Sequence, residues 1–470
     1  MSKPRRLLSF YGDDFTGTTA TAEALTASGV STVMFIEPPK PAYLKQHFPD
    51  IQAVGIAGIA RSLPTDELES TLRSIFKKIK AYDTPLVLYK VCSTFDSAPN
   101  LGSIGRAAEI GQKIFASKIV PILPAAPRLG RFTLFGNHFV AVGEKVYRMD
   151  RHPSLPNHPA TPMQESDLRK HLAKQTDLSC GLVPVPQLEK GIKQARDHFN
   201  GLMKRDIPLI LFDTLLERHL NRACEVIWDH VVKGKIKFCI GSQEIGFGLA
   251  KEWKRQGWLA DIQKKHAKLT ARKARRILVV SGSCASVTGR QIEWASTHGF
   301  TCIRIHPAKL FEPTGQKEEI ARVFEESVSN LKDGKSVILY SAMGPEDASI
   351  SENQKLMDRL GLESQALTQK LGGIFGDLTK AIITEADVQR VVLVGGDISG
   401  RITPKLGIWA LQVGKSIGIA APLCYAYSSY PEIHGLQVAM KGGQIGDDDY
   451  FGQAKEMRMS QFEQVALGRF

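Results

Sequence analysis

Short apolar segments alternate along the chain with segments whose apolar residues recur at helical spacing. In the first half, the apolar segments predict buried strands, and the longer periodic segments Thr65–Ile79 and Gly102–Phe115 predict helices. The predicted strands of this half are Leu7–Tyr11, Thr32–Ile36, Ala53–Ile59, Leu86–Val91, Ile119–Leu123, Gly181–Val185, Pro208–Phe212 and Lys237–Gly241. This alternation is typical of a mostly parallel sheet that is covered by helices on both faces.

Residues 134–162 do not follow this alternation of strands and helices. Between Leu134 and Tyr147, two short alternating runs flank Gly143 and Glu144, which predicts an antiparallel hairpin. Residues 151–162 contain too many prolines for a helix or a strand, so they are predicted to form a loop.

A second alternating region begins at Ile277. Its predicted strands are Ile277–Val280, Cys302–Ile305, Val337–Tyr340, Val391–Val394 and Ile417–Ala420. A chain of 470 residues exceeds what one hydrophobic core usually serves. We therefore predict an α/β protein of two domains with mostly parallel sheets. Residues 1–260 form the first domain, residues 261–276 a basic linker, and residues 277–470 the second domain.

Charge and composition narrow the function. The net charge is +13, and seven of these charges are basic residues between Ile262 and Ile277, a stretch without any acid. Because this stretch contains no aromatic residue, a solvated linker is favoured over a specific nucleic-acid site. The remaining excess suits an anionic small substrate or a polyphosphate.

The seven cysteines are scattered without CxxC spacing, which argues against a zinc ribbon or a disulfide framework. They favour a reducing cytoplasm. The chain shows neither a signal-peptide pattern nor an apolar run of about 18 residues, so we expect no membrane partner. No metal site is predicted.

Two adjacent acids follow the first predicted strand. Asp13 and Asp14 stand between Gly12 and a helical segment that opens at Thr16. One interpretation is that Asp14 or Thr16 caps this helix. The other is that an acid is held at the helix mouth to act on a small polar substrate.

Further polar residues follow other strands of the first half. Lys90 to Ser97 collects a cation, hydroxyl groups and an acid, and Arg61 follows the strand at Ala53. These residues suit a polyhydroxylated acid, with Lys90 on its carboxylate, although turn and cap roles would also explain the hydroxyls. Because parallel strands end at one edge of a sheet, we expect these groups to share a crevice with Asp13.

The second half offers glycine- and serine-rich turns. Residues 281–286 and 395–400 each run from a strand toward a helix, where backbone amides and the helix dipole favour an anion. A third glycine-rich loop, residues 441–446, carries a basic residue. None of them is a GxGxxG fingerprint, so a dinucleotide-dependent dehydrogenase is disfavoured.

Together these motifs resemble those of the four-carbon acid sugar kinase family. The resemblance covers nearly the whole chain, in order, at residues 12–20 (family ADDFTGATD), 90–97 (KYCSTFDS), 158–163 (HPLTPM), 280–284 (LSGSC), 395–400 (GGETSG) and 441–446 (KSGNFG). It implies a two-domain kinase that phosphorylates the terminal hydroxyl of a short acid such as threonate, erythronate or 3-oxo-tetronate. The sugar acid and the nucleotide would bind on either side of a shared cleft, with ATP and Mg²⁺ as cofactors.

The resemblance also implies roles for individual residues. On the substrate side it places Asp14 and Asp13 as catalytic candidates, with Arg61, Lys90 and Ser93 binding the sugar acid. On the nucleotide side it places Ser281, Gly282, Ser283, Gly395, Gly396, Asp397, Ser399 and Gly443. Either aspartate can serve as the base.

This sequence departs from the family at three places. Gly12 replaces an alanine, the acid that often ends the first motif is missing, and the family's TGGSGLA turn is altered across residues 241–250. These changes bear on the substrate more than on the reaction. The alternative function is a non-catalytic sensor of a sugar acid or a nucleotide. A homodimer is a further prediction.

Overall fold

The computed structural model describes residues 4–157, 161–259, 273–361, 364–418 and 421–457. The chain divides into two compact units, residues 1–263 and residues 264–470, and each is described by itself. Two predicted segments fall partly outside the described residues. They are the proline-rich loop, at residues 158–160, and the basic linker, at residues 261–272.

The first unit is built on a parallel sheet. Its strands are β1 (Leu8–Gly12), β2 (Thr32–Phe35), β3 (Ala53–Ala57), β4 (Leu86–Lys90), β5 (Val120–Leu123), β6 (Arg131–Leu134), β7 (Asn137–Val142), β8 (Lys145–Arg148), β9 (Cys180–Val183), β10 (Leu209–Phe212) and β11 (Phe238–Gly241). The parallel sheet has the order β2-β3-β1-β4-β11-β5-β10-β9. The central strands β1 and β4 are buried along their whole length, as expected for strands covered on both faces.

Helices connect these strands. They are α1 (Phe15–Ala27), α2 (Pro41–His47), α3 (Thr65–Lys80), α4 (Ile104–Phe115), α5 (Leu168–Ala173), α6 (Val185–Glu189), α7 (Ile192–Lys204), α8 (Glu217–Val232) and α9 (Ile245–Arg255). Helix α3 has the periodicity by which it was predicted from the sequence. Its buried residues form one stripe at helical spacing: Leu68, Leu72, Phe76 and Ile79. Asp167 caps the start of α5, where its side chain accepts a hydrogen bond from the Arg169 amide.

A separate antiparallel sheet of β6, β7 and β8 confirms the predicted hairpin and adds a third strand to it. The buried carboxylate of Asp213, which follows β10, anchors this small sheet. It accepts hydrogen bonds from the backbone amides of Phe135, Gly136 and Val185 at 2.6, 2.9 and 3.1 Å. The β6–β7 turn is thereby tied to the carboxyl edge of the main sheet.

The second unit has a mixed sheet. Its strands are β12 (Leu278–Ser281), β13 (Phe300–Arg304), β14 (Ser336–Tyr340), β15 (Arg390–Val394), β16 (Ile408–Gly418), β17 (Ala421–Ser428) and β18 (Gln437–Lys441). Its helices are α10 (Ser286–Ser296), α11 (Pro313–Lys332), α12 (Ala348–Leu360), α13 (Ser364–Ala386), α14 (Gly396–Lys405) and α15 (Tyr450–Glu456). The strands β13-β14-β12-β15-β18 are parallel. Strand β17 pairs antiparallel with β18, and β16 pairs antiparallel with β17.

The antiparallel part is where the sequence prediction was incomplete. A single strand was predicted at Ile417–Ala420, whereas β16 begins at Ile408 and pairs with β17, and the last two predicted residues lie outside the described ranges. Register shifts interrupt the β16–β17 pairing, and Gly414 breaks the apolar run of β16. The alternation is therefore too irregular to identify from sequence. None of the helices in the described residues is long and apolar enough to cross a membrane.

Candidate active site

The order of strands in the first unit creates a crevice at the carboxyl end of β1. The neighbours of β1 are β3 on one side and β4 on the other. The connection after β1 leads to β2, on the β3 side, whereas the connection after β4 leads to β5, on the opposite side. Ligands of open α/β sheets bind at such switch points. Gly12, the last residue of β1, is in register with both Ala57 and Lys90. The next amide, that of Asp13, donates to the Lys90 carbonyl, and the Arg61 amide donates to the Asp13 carbonyl.

Four charged side chains meet in this crevice and are called the charged cluster below: Asp13, Asp14, Arg61 and Lys90. Arg61 donates to both carboxylate oxygens of Asp13, at 3.0 and 3.2 Å, and its Nη2 is also 3.0 Å from Asp14 Oδ1. Lys90 Nζ lies 3.1 Å from Asp14 Oδ1 and 3.8 Å from Asp13 Oδ1. The structure thus brings together the acids and cations that the sequence placed at three strand ends.

Asp14 is also the helix cap that the sequence suggested. Its Oδ1 accepts a hydrogen bond from the amide of Gly17 at 3.0 Å, and its Oδ2 accepts one from the Thr16 hydroxyl at 2.9 Å. A cap of this kind fixes the carboxylate in one orientation. Capping and membership of the charged cluster therefore coexist in one residue.

The two aspartates differ in exposure and in acidity. The side chain of Asp13 is 3% exposed and that of Asp14 is 19% exposed. Burial raises the pKa of Asp13 above its ordinary value, although Arg61 and Lys90 oppose this. Burial acts in the same direction on Asp14, but Arg61 and Lys90 outweigh it, so the pKa of Asp14 is lowered. Asp14 is consequently ionised at neutral pH and is the acid that solvent reaches more readily.

Ser93 lies in the buried turn that follows β4. Its carbonyl is 2.7 Å from Nε2 of His138 on β7, and Nδ1 of His138 is 2.9 Å from the Thr133 hydroxyl of β6. Burial lowers the pKa of His138 to about 4, so this imidazole is neutral at pH 7. A neutral imidazole that donates from Nε2 accepts the Thr133 proton at Nδ1. The small sheet thus supports the Ser93 turn, a relation that sequence reasoning missed.

The next residues of this turn hold a third acid near Arg61. Phe95 is buried with a φ of 60°, an uncommon conformation for a residue other than glycine. The hydroxyl of Ser97 donates to the Phe95 carbonyl at 3.1 Å, and Nε2 of His171 lies 2.9 Å from the same hydroxyl. This network keeps Asp96 in place, with its Oδ2 at 3.9 Å from Arg61 Nη1. A strained residue supported by buried hydrogen bonds is common at functional sites.

The second unit repeats the strand order of the first around β12, whose neighbours are β14 and β15. Ser281 ends β12 in register with Val394, and Val394 is in register with Lys441, the end of β18. The glycine- and serine-rich turns after these three strands consequently lie side by side. Gly282 joins them, because its amide donates to the Val394 carbonyl at 3.2 Å.

Close packing at these turns explains their small residues. A Cβ on Gly443 would lie 2.3 Å from Oγ of Ser283 and 2.9 Å from Cβ of Ala285. Gly395 has a φ of 102° and precedes α14, in whose first turn Gly396, Asp397 and Ser399 lie. The Ser399 hydroxyl is buried and donates to the Gly395 carbonyl. Backbone amides at the starts of α10 and α14 can therefore approach an anion without obstruction from side chains.

Lys441 is a residue of this site that the sequence prediction did not select. It is fully buried, and its Nζ lies 3.5 Å from the Thr288 hydroxyl, which in turn donates to the Gly443 carbonyl at 2.8 Å. Burial lowers the pKa of Lys441 to about 7. Lys441 makes no ion pair with any residue that the structure describes. The one available signal was that a lysine directly precedes the glycine loop.

Carboxylates and imidazoles do not form a metal centre in the described part of the chain. No group of three or more His, Cys, Asp or Glu side chains there is arranged to hold a metal ion.

Comparison with known protein families identifies both units. A family model described as a sugar-binding N-terminal domain matches residues 8–249, and one described as a nucleotide-binding C-terminal domain matches residues 278–451. The chain belongs to the four-carbon acid sugar kinase family.

Relatives of this kinase agree along its whole length. It is 38% identical to a 3-oxo-isoapionate kinase of Paraburkholderia graminis, over 97% of this chain and 95% of that protein. It is 25% identical to a 3-oxo-tetronate kinase of Pseudomonas savastanoi pv. phaseolicola, over 97% of this chain and 98% of that protein. These matches confirm the predicted family and the predicted class of enzyme, a sugar-acid kinase that uses ATP.

Solved structures show the same fold. A Salmonella typhimurium LT2 protein, crystallised under a tRNA synthase name, is 23% identical over 96% of this chain and 99% of that chain, with a TM-score of 0.77. A Haemophilus influenzae protein of the DUF1537 family has the same identity and coverage and a TM-score of 0.69. At this identity the likeness shows the fold alone, and it confirms the predicted α/β class.

Proposed function

We propose that this kinase transfers the γ-phosphoryl group of ATP to the terminal hydroxyl of a short sugar acid, either four-carbon or branched. Threonate, erythronate and 3-oxo-tetronate are the representative candidates. The names of the relatives, 3-oxo-isoapionate kinase and 3-oxo-tetronate kinase, favour an acid with a 3-oxo group. The single observation that carries the proposal is the charged cluster at the ends of β1, β3 and β4.

The cations of the cluster suit the carboxylate of the sugar acid. Arg61 uses Nε and Nη2 on the aspartates, while its Nη1 has only the distant Asp96 as an acid neighbour among the described residues. That edge of the guanidinium can donate to an incoming carboxylate. Lys90 ends β4 in register with Gly12 of β1 and adds a second positive charge. The buried turn at Ser93 follows Lys90 and borders the crevice.

We assign the hydroxyl-orienting role to Asp14 and a positioning role to Asp13. Both oxygens of Asp13 accept from Arg61, and the residue is almost fully buried. Asp14 Oδ2 accepts one hydrogen bond, from Thr16, so it retains capacity for a substrate hydroxyl. The lowered pKa makes Asp14 a weak base, which suits phosphoryl transfer because the hydroxyl loses its proton late.

The terminal hydroxyl oxygen of the sugar acid forms a bond to the γ-phosphorus, and the bond from that phosphorus to the oxygen bridging it to the β-phosphate breaks. The hydroxyl proton passes to Asp14 and then to solvent, and ADP leaves. The backbone amides at the starts of α10 and α14, beside the turns at Ser283, Gly395 and Gly443, would donate to the phosphates, and Lys441 would add a positive charge.

Mg²⁺ would accompany ATP and would neutralise the charge that develops on the transferred phosphoryl group. Phosphate oxygens and water would supply most of its ligands. A cytoplasmic location and a homodimer stay predictions from the sequence.

The test is ADP release from Mg-ATP by the full chain, with threonate, erythronate, 3-oxo-tetronate and the branched acid 3-oxo-isoapionate tested separately. We expect turnover with at least one acid and none without an acid. No ADP release with any of the four acids would contradict the proposal. Tight binding of an acid without ADP release would instead support the sensor alternative.

A further inference from the structure

A buried carboxylate outside the charged cluster lacks a hydrogen-bond donor. Glu244 precedes α9, is 2% exposed, and its Oε2 accepts no hydrogen bond from the residues that the structure describes. Such a group is costly in a folded protein unless another molecule satisfies it. Burial raises the pKa of Glu244 to about 7.

The register of the sheet places Glu244 at the same edge as the charged cluster. Gly241, the last residue of β11, is in register with Lys90 on the adjacent β4. The Val91 amide donates to the Gly241 carbonyl at 2.9 Å, and the Ser242 amide donates to the Leu123 carbonyl at 3.1 Å. Glu244 follows Gly241 by three residues, so it lies at the same edge of the sheet as the charged cluster, on the side of β4 opposite to β1.

The surroundings of Glu244 are rigid and carry one cation. Ser242 is tied by its hydroxyl to the Ala125 carbonyl at 3.0 Å. Nε of Arg128 lies 3.8 Å from Glu244 Oε2, which is beyond hydrogen-bond distance. The Arg128 guanidinium is held over the ring of Phe247, 3.9 Å from its centre. Arg128 therefore lies beside the carboxylate without donating a hydrogen bond to Oε2, and its Nη2 is 3.4 Å from Oε2 of Glu217. Arg128 opposes the rise in the pKa of Glu244, whereas Glu217 adds to it.

We propose that Glu244 is a specificity-determining residue that accepts hydrogen bonds from the secondary hydroxyl groups of the sugar acid. This inference rests on the proposed function and adds one hydrogen-bond acceptor to the same site. A carboxylate with free lone pairs is satisfied by a polyhydroxylated acid and is left unpaired by an acid without those hydroxyls. Sites of this kind reject the analogue that lacks the hydroxyl.

The test compares two acids on the full-length enzyme. Threonate carries secondary hydroxyls, whereas 4-hydroxybutanoate keeps the carboxylate and the terminal hydroxyl but lacks them. We expect Glu244→Ala to lower the ratio of kcat/KM for threonate over 4-hydroxybutanoate by about tenfold to a hundredfold, the equivalent of one or two hydrogen bonds to a charged group. Glu244→Gln retains an acceptor oxygen and should lie between wild type and Glu244→Ala. The KM for ATP should stay within about twofold in both variants.

Glu252 is the matched control, because it is also a buried glutamate of this helix region. Its carboxylate is satisfied by Arg255 at 2.8 Å and by Gln256 at 2.7 Å, so Glu252→Gln should leave the acid ratio unchanged. An unchanged ratio in Glu244→Ala and Glu244→Gln, with both variants folded by circular dichroism, would overturn the proposal.

A binding measurement separates this inference from the proposed function. If the wild-type enzyme releases no ADP with any acid, the proposed function fails, and calorimetric binding of threonate without ATP decides the role of Glu244. Tighter binding to wild type than to Glu244→Ala would support recognition by Glu244. Equal binding, or none to either protein, would refute it.

Discussion

The charged cluster of the first unit and the glycine- and serine-rich turns of the second, which we propose to bind the sugar acid and the nucleotide, occupy the same place in their sheets. The order β2-β3-β1-β4 in one unit corresponds to β13-β14-β12-β15 in the other, and both sites form at the carboxyl ends of the central strands. Their chemistry differs. The first is made of four charged side chains, whereas the second is made of backbone amides, small side chains and one lysine.

This difference reflects what each site has to bind. In the charged cluster, two carboxylates balance two cations, so the charge is neutral before any ligand arrives. The nucleotide site contains the buried cation Lys441, which has no ion-pair partner among the described residues. A triphosphate would supply the missing negative charge. The first site therefore depends on particular charged side chains, and the second depends on the space that its glycines leave free.

The largest effect should come from removing one charge of the cluster. We expect Asp14→Asn to lower kcat by about a thousandfold, within the range for removal of a proton-accepting group. Asparagine also caps helices, so α1 should persist and the melting temperature should change little. Single-turnover ADP release is the measurement. Asp167→Asn, at the cap of α5, is the control for a cap carboxylate outside the cluster. Turnover near the wild-type level would remove Asp14 from its proposed role.

The proposed nucleotide site is tested by adding one methyl group, at Gly443. Gly443→Ala places a Cβ within 2.3 Å of Oγ of Ser283, so the turn has to open. Overpacking of this size costs about 1–3 kcal/mol, which corresponds to an approximately tenfold to hundredfold higher KM for ATP. Gly442→Ala is the control, because its Cβ would meet only the Ile445 side chain, at 3.3 Å. Equal KM values for the two variants would show that this close approach is unimportant for ATP.

Because Lys441 has no ion pair among the described residues, we expect the affinity for ATP to depend on pH. We expect no such dependence from the charged cluster, where two acids face two cations. With a pKa of about 7, Lys441 is mostly neutral above that pH, while a bound triphosphate favours its charged form. ATP binding should then take up a proton, and the Kd for ATP should rise by up to about tenfold per pH unit between pH 7 and 9. Calorimetry in buffers of different ionisation enthalpy measures this uptake. Lys441→Met should abolish the slope, whereas Lys335→Met, at an exposed turn, should keep it. A Kd that does not vary with pH would argue against a phosphate contact.

The last effect concerns stability, not activity, and tests the support of the Ser93 turn by His138. Below pH 6.5 the unfolded chain protonates the histidine at position 138, while the folded chain resists until its pKa of about 4. The folded state therefore loses stability as the pH falls, by about 1.4 kcal/mol per unit in this window. Urea titrations of His138→Gln between pH 4 and 7 should show a shallower loss than wild type. The same change at the exposed His298 should leave the slope as it is in wild type.

Sequence patterns predicted the elements that have regular periodicity and local chemistry. The strand at Leu8–Gly12, the acids after it and the glycine turns were readable because strand ends and helix starts use few residue types. The support of the Ser93 turn by His138 could not be predicted from the sequence. Ser93 follows a strand of the main sheet, His138 lies in the small sheet, and 45 positions separate them. The irregular pairing of β16 with β17 hid the antiparallel edge in the same way.

By itself, the sequence determined the α/β alternation, the family and the residues at each strand end, because hydrophobic periodicity and short motifs are local properties. Tertiary structure alone decided how those residues act together. It gave Asp13 and Asp14 opposite pKa shifts and brought Arg61 and Lys90 onto both acids. It also buried Glu244 with no hydrogen bond to its Oε2, and Lys441 with no ion pair, among the described residues. Burial and distance set the strength of every charge, and both arise only when remote strands pack side by side.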